Sequence, residues 1–330
     1  MAAIWMRRTL ITAAACASAV LLAACGSSST ADAITPSRMI SFGDSISDIG
    51  QNPNGRAYSV NNGTINNWTE EVANRHGLSI SAAKVGGTSY AQGNARVALP
   101  DASGVTNAPS VTQQIDSYLA ANPTFQERDF VLISGGQSDL IAGMNAYLAG
   151  TLSYDDYMAG LTTAGNQLAA QVKRLNTAGA PRVLSIGTIN VSRTLWAKNL
   201  DNVYPTADPK PTAVLQSATE AFNQALLVAL RPMDGRYVLY SDAEYYFNTM
   251  TGNPGAYSFS ISDRPICTTA DATNAQNVGT DQINSSLCTA DTLVAGADVN
   301  NYLFADTISF TPRAHTRFGD WVYDRMKANW

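Results

Sequence analysis

The chain predicts a three-layer α/β/α sandwich built on a parallel sheet. Short apolar runs recur at Met39-Ile40-Ser41-Phe42, Phe130-Val131-Leu132-Ile133, Arg182-Val183-Leu184-Ser185-Ile186 and Tyr237-Val238-Leu239-Tyr240, and each has the length of a buried strand. Longer stretches of helical periodicity lie between them. Strands that alternate with helices join through right-handed crossovers into a parallel sheet covered on both faces. The 330 residues, 45% of them hydrophobic and 14% charged, suffice for one large domain with a sizeable core.

Taken in order, residues 39–42 form the first strand and residues 67–75 read as a helix. Residues 111–121 form a second helical stretch, which precedes the strand at 130–133. Residues 154–177 have helical periodicity and stop at Gly179-Ala180-Pro181, a termination signal that leads into the third strand. Residues 213–230 form a helix ended by Pro232, ahead of the fourth strand. A closing helix over 312–327 carries Pro312 at its start, where proline is well tolerated. Residues 252–299 are long, polar and punctuated by Gly and Pro, and read as an ordered excursion rather than a second domain. There is no internal repeat. Parallel sheets carry their sites at the carboxyl ends of the strands, and Ser45, Gly135-Gly136, Asn190 and Asp242 all fall just past strand ends.

The net charge of −5 and the absence of a basic stripe argue against a nucleic-acid partner. The amino terminus reads as a signal peptide over residues 1–24. Arg7 and Arg8 precede an apolar core at residues 10–22 that is too short for a comfortable membrane span. Leu22-Ala23-Ala24-Cys25 matches a lipobox, which predicts cleavage before Cys25 and acylation of its thiol. The plainer alternative is an ordinary signal peptide cut after a small residue. Gly26 rather than Asp follows Cys25, so the expected location is exported, as a lipoprotein of the outer membrane facing the periplasm or cell surface. Residues 25–36 would be a small, polar tether, and residues 37–330 the folded domain. Of the four cysteines, Cys16 lies in the removed segment. Cys267 and Cys288 fit a disulfide that closes a polar loop in an oxidising compartment, with two free buried thiols as the alternative. Two cysteines without a nearby histidine cannot complete a zinc site.

The candidate nucleophile is Ser45, in Phe42-Gly43-Asp44-Ser45-Ile46-Ser47-Asp48 directly after the first strand. Acyl transfer through serine needs a base, a group that orients the base, and hydrogen-bond donors for the oxyanion. Such a serine can also be a plain turn or cap residue. Only two histidines are present. His76 sits at a helix carboxyl end, where the last carbonyls accept its ring, and reads as structural. His315 follows Pro312 by three residues and falls in the first turn of the closing helix. It is the one remaining base, unless it merely packs there.

The block around Ser45 resembles the Gly-Asp-Ser-Leu motif of the GDSL (SGNH) hydrolases, with Ile46 in place of Leu. Gly87-Thr88-Ser89-Tyr90-Ala91-Gln92-Gly93-Asn94-Ala95-Arg96-Val97 is similar to the family's second block, whose backbone N–H serves the oxyanion hole; here that donor falls at Gly93 or Asn94, and Asn tolerates positive φ. Gly136-Gln137-Ser138-Asp139 resembles the third block, with Ser138 in place of the oxyanion Asn. Its hydroxyl is shorter by two heavy atoms, and Gln137 is one residue out of place. Tyr302-Leu303-Phe304-Ala305-Asp306-Thr307-Ile308-Ser309 and the following stretch to His315 resemble the last block. Asp306 aligns with the carboxylate that orients the base, Ser309 with the base itself, and His315 with a later histidine.

The resemblance runs from about residue 39 to 321 and extends, around residues 288–295, to secreted lysophospholipase-like members. It implies a flavodoxin-like SGNH hydrolase fold and a serine esterase or lipase acting on a small-molecule or lipid ester, without cofactor. The oxyanion hole would comprise Ser45, Gly93, Asn94 and Ser138, and the catalytic set Ser45, Asp306 and His315. Two other readings share the scaffold: a binding protein with a decayed triad, and an acyltransferase that uses the same serine.

Overall fold

The computed structural model describes residues 35–330, apart from residues 64, 122, 123, 234 and 236. The predicted signal peptide, the lipobox with Cys25 and nearly all of the tether lie outside the described residues. Four strands, β1 (Arg38–Phe42), β2 (Asp129–Ile133), β3 (Arg182–Ile186) and β4 (Val238–Ser241), pair in parallel in the order β1-β2-β3-β4. Phe42 is level with Ile133, and Ile133 with Ser185, so the strand ends that carry the loops share one edge. All five residues of β2 are buried, as a strand covered on both faces requires.

The sheet extends one position past β1. Ser41 N–H donates to the Thr88 carbonyl (3.0 Å), and Tyr90 N–H donates to the Ser41 carbonyl (2.7 Å), a parallel bridge at Ser89. With this segment included, the second piece of chain lies outside the first, and the order becomes 2-1-3-4-5, that of the flavodoxin-like doubly wound sheets.

The helices are α1 (Trp68–Arg75), α2 (Val111–Ala121), α3 (Gln137–Leu148), α4 (Tyr154–Thr177), α5 (Leu195–Val203), α6 (Pro211–Leu230), α7 (Ala243–Gly252) and α8 (Pro312–Asn329). Helices α4 and α6 pack on each other and against β3 and β4, with α2 beside β1. Helices α1 and α8 pack together through Trp68 and Phe318, whose ring centroids are 5.4 Å apart, and α8 lies against β4. Local signals explain the helix ends. Asn67 and Glu70 form a capping box on α1, Ser153 caps α4, and Pro312 opens α8. Three of these helices, α3, α5 and α7, have no counterpart in the sequence reading.

The excursion after α7 has little regular structure. Two-residue strands β5 (Ala270–Asp271) and β6 (Gln282–Ile283) pair antiparallel. Cys267 and Cys288 form a disulfide with Cα atoms 5.8 Å apart. Both are buried in a small second core with Val60, Ile266, Tyr302 and Ala305. The bond closes a loop within this polar segment, and the small core around it packs the segment onto Val60, Tyr302 and Ala305.

Candidate active site

The loop that carries Ser45 is pinned on every side except at Ser45 itself. Gly43 has φ +153°, and a Cβ there would fall 2.0 Å from Ser134 Oγ, so no side chain fits. Gly43 N–H donates to Gln114 Oε1, and its carbonyl accepts from Gln114 Nε2, both at 2.9 Å. Ser47 Oγ pairs with Ser134 Oγ (2.8 Å) and accepts from Trp68 Nε1 (3.1 Å). The Asp48 carboxylate accepts from Gly50 N–H, Gln51 N–H, Asn52 Nδ2 and Gly93 N–H. Asp44 is buried, and its Oδ2 accepts from Gln137 N–H at 3.0 Å. Burial pushes the Asp44 carboxyl up to about 7 against the opposing effect of that hydrogen bond. Between these anchors Ser45 is partly exposed, and among the described residues neither its Oγ nor its N–H makes a hydrogen bond. A rigid loop thus presents a free hydroxyl.

His315 sits where its spacing from Pro312 predicts, in the first turn of α8, with its backbone N–H donating to the Thr311 carbonyl (3.1 Å). It lines one small pocket together with Ser45, Ile46, Tyr58, Gln137, Ile189, Ile308, Ser309 and Phe310. The ring is 1% exposed, and a ring N–H approaches the Tyr58 carbonyl. Burial lowers the imidazole to about 4, and the Tyr58 carbonyl opposes that shift only in part. His315 is therefore neutral above about pH 5 and holds a lone pair ready to accept a proton. Ser309, in the position where the resemblance implies a base, faces the same pocket but brings only a hydroxyl.

Asp306, assigned from the resemblance as the carboxylate that orients the base, makes its hydrogen bonds elsewhere. Its Oδ1 accepts from Ile308 N–H (2.8 Å) and Ser309 N–H (2.5 Å). Its Oδ2 accepts from Gln276 Nε2 (2.8 Å) and Ser285 N–H (2.9 Å). No imidazole is among these partners. The carboxylate ties the loop before α8 to the disulfide-bonded excursion, and the His315 ring meets the Tyr58 backbone carbonyl instead.

The two backbone oxyanion candidates also separate. Gly93 N–H is occupied by Asp48 Oδ2 at 2.8 Å. Gly93 is small because the Tyr58 ring lies against it; a Cβ would sit 2.2 Å from that ring. Asn94 adopts φ +67°, in the left-handed region that Asn tolerates, and its N–H makes no hydrogen bond among the described residues. Its side chain donates to Thr106 Oγ1 and to the Ala275 carbonyl. Ser138 and Asn94 line a second pocket with Gln276 and Asn277, and Ser138 is not among the residues around Ser45 and His315. Gln137 is.

His76 is the carboxyl-terminal cap of α1 and packs edge-on against Tyr323, with ring centroids 4.8 Å apart. Burial, with Lys327 and Arg75 nearby, lowers it to about 4. It takes no part in the Ser45 pocket. Among the described residues no group of three or more His, Cys, Asp or Glu is placed to hold a metal ion. Sequence reasoning missed Tyr58, whose contribution to His315 is a carbonyl that every residue type possesses, and Ile189, which enters the pocket from the loop after β3.

A family model described as GDSL-like Lipase/Acylhydrolase matches residues 39–322 of the chain. A search of curated proteins finds none that matches.

Proposed function

Because this chain belongs to the GDSL-like lipase/acylhydrolase family, we propose that it is an exported, lipid-anchored serine hydrolase that cleaves carboxylic esters through Ser45 and His315. The observation that carries this reading is the shared pocket: a free serine hydroxyl and a neutral, buried imidazole line one small space, and Asp306 claims neither. Ser45 Oγ attacks the acyl carbon and passes its proton to His315, and the carbonyl π electrons move onto oxygen. The unpaired N–H of Ser45 meets the developing oxyanion. Collapse of the tetrahedral intermediate expels the alkoxide, which takes the proton from His315 and leaves an acyl-enzyme. Water, deprotonated by His315, then attacks the acyl carbon and releases the acid. The Tyr58 carbonyl, which favours the charged ring, supports the transient imidazolium.

A fluorophosphonate probe tests the nucleophile. The expected result is one covalent adduct that maps to Ser45 and is absent in Ser45→Ala. A protein that binds esters without forming the adduct is a binding protein on this scaffold instead. The anchor has its own test. Cys25→Ser is expected to release the protein from the membrane fraction, and mass spectrometry of the mature protein should find acylated Cys25 as the first residue. An unmodified amino terminus at another position would refute it.

A further inference from the structure

We infer that Gln137 supplies the side-chain donor of the oxyanion hole, in the place that Ser138 leaves empty. The inference rests on the serine-hydrolase reading above. Four observations support it. First, Gln137 is tied to the nucleophile loop: its N–H donates to Asp44 Oδ2 at 3.0 Å, and Asp44 is the residue before Ser45. Second, Gln137 is the first residue of α3, with Gly136 as its cap. Side chains lean toward the amino terminus of their helix, so a glutamine at this position reaches out past the end of α3 toward the edge of the sheet that carries Ser45.

Third, Gln137 is 4% exposed and lines the pocket of Ser45 and His315, yet its side-chain amide makes no hydrogen bond to any described residue. It is also absent from the polar atoms that are sealed from solvent without a partner, so the amide opens onto the pocket. A buried amide left without a partner is costly; one at the mouth of a site is a donor held for a ligand. Fourth, Ser138 faces a different pocket with Asn94, Gln276 and Asn277, and makes no hydrogen bond there among the described residues. Gln137 Nε2 would donate to the carbonyl oxygen as it becomes an oxyanion, and the amino-terminal end of α3 adds its positive potential. The extra methylene of glutamine over asparagine provides the reach that its one-residue offset on the helix requires.

The test is steady-state hydrolysis of p-nitrophenyl butyrate by wild type, Gln137→Met, Gln137→Ala, Ser138→Ala and the double variant Gln137→Ala/Ser138→Asn. Methionine keeps the length and volume of the side chain without the donor, so it guards against loss of fold in the alanine variant. Both Gln137 variants are expected to lose about 100- to 1,000-fold in kcat, with KM nearly unchanged. A trifluoromethyl ketone, which forms the tetrahedral adduct, should lose affinity by a similar factor, a readout that a merely structural role would not move. Ser138→Ala should stay within about threefold of wild type, and the double variant should recover part of the loss. Wild-type rates in Gln137→Met, or the full loss in Ser138→Ala, would overturn the inference while the esterase reading stands. No ester turnover and no probe adduct at Ser45 in the wild type would overturn both.

Discussion

Replacing His315 with Ala is expected to remove ester hydrolysis about as completely as replacing Ser45 with Ala, by roughly a millionfold in kcat, because a nucleophile and its base act as a unit. The Ser45 variant should keep the wild-type fold, since Ser45 makes no side-chain hydrogen bond among the described residues; circular dichroism checks the fold of the His315 variant. The pH dependence separates this base from an ordinary histidine. The folded ring titrates at about 4, well below the usual 6.5, because burial disfavours its charged form. Activity is lost as pH falls through the folded value, so kcat/KM should stay level down to about pH 5 and decline only below it. The same shift affects stability. An unfolded chain binds a proton at this residue below about pH 6.5 and the folded chain does not until about 4, so His315 costs stability progressively across that window as pH falls. His315→Ala should weaken that acid-side loss. Full activity in His315→Ala would mean that another base serves Ser45; weak wild-type activity that the substitution leaves unchanged would favour the binding protein.

Asp306→Ala is expected to act on folding rather than on the base. The substitution strips partners from Ile308 N–H, Ser309 N–H, Ser285 N–H and Gln276 Nε2, all on buried residues. Leaving buried donors unpaired costs about 1–3 kcal/mol each, so a total of at least roughly 3 kcal/mol is expected. For a domain of this size that corresponds to a fall in Tm of at least roughly 5 °C. Calorimetry reads the shift, and assays well below the new Tm should find the acid limb of kcat/KM where it was in the wild type. A stable Asp306→Ala protein whose acid limb has moved would show instead that Asp306 acts on the base.

Much of the scaffold was legible in the chain. Each of the four strands is a short apolar run closed by a polar or glycine turn, and such runs have few alternatives once helices separate them. Helix α2 and helix α4 match the sequence reading at both ends, because the periodicity is long and the stops are explicit, as at Gly179-Ala180-Pro181. Helix α3 was not legible. It opens on Gly135-Gly136-Gln137-Ser138 and holds Gly143 and Asn145, which local propensity counts against a helix; burial of Leu140, Ile141 and Met144 overrides that propensity. The edge segment at Ser89 makes a single bridge and is too short to leave a strand pattern.

The candidate site divides along the same line. The sequence alone determined that Ser45 follows a strand into a tight turn, that only two imidazoles exist to serve it, and that one of them opens the last helix. These are matters of residue type and short-range spacing. Only the tertiary structure decided that His315 and Ser45 border one pocket although 270 residues separate them in number. The same holds for the Asp306 carboxylate, which closes a loop, for Gly93 N–H, which is spent on Asp48, and for Gln137 rather than Ser138 beside the nucleophile. Each of these depends on the direction of a hydrogen-bonding group in space. Carbonyls and N–H groups are the same in every residue, so which ones remain free is settled by how the loops at the carboxyl edge of the sheet pack against one another.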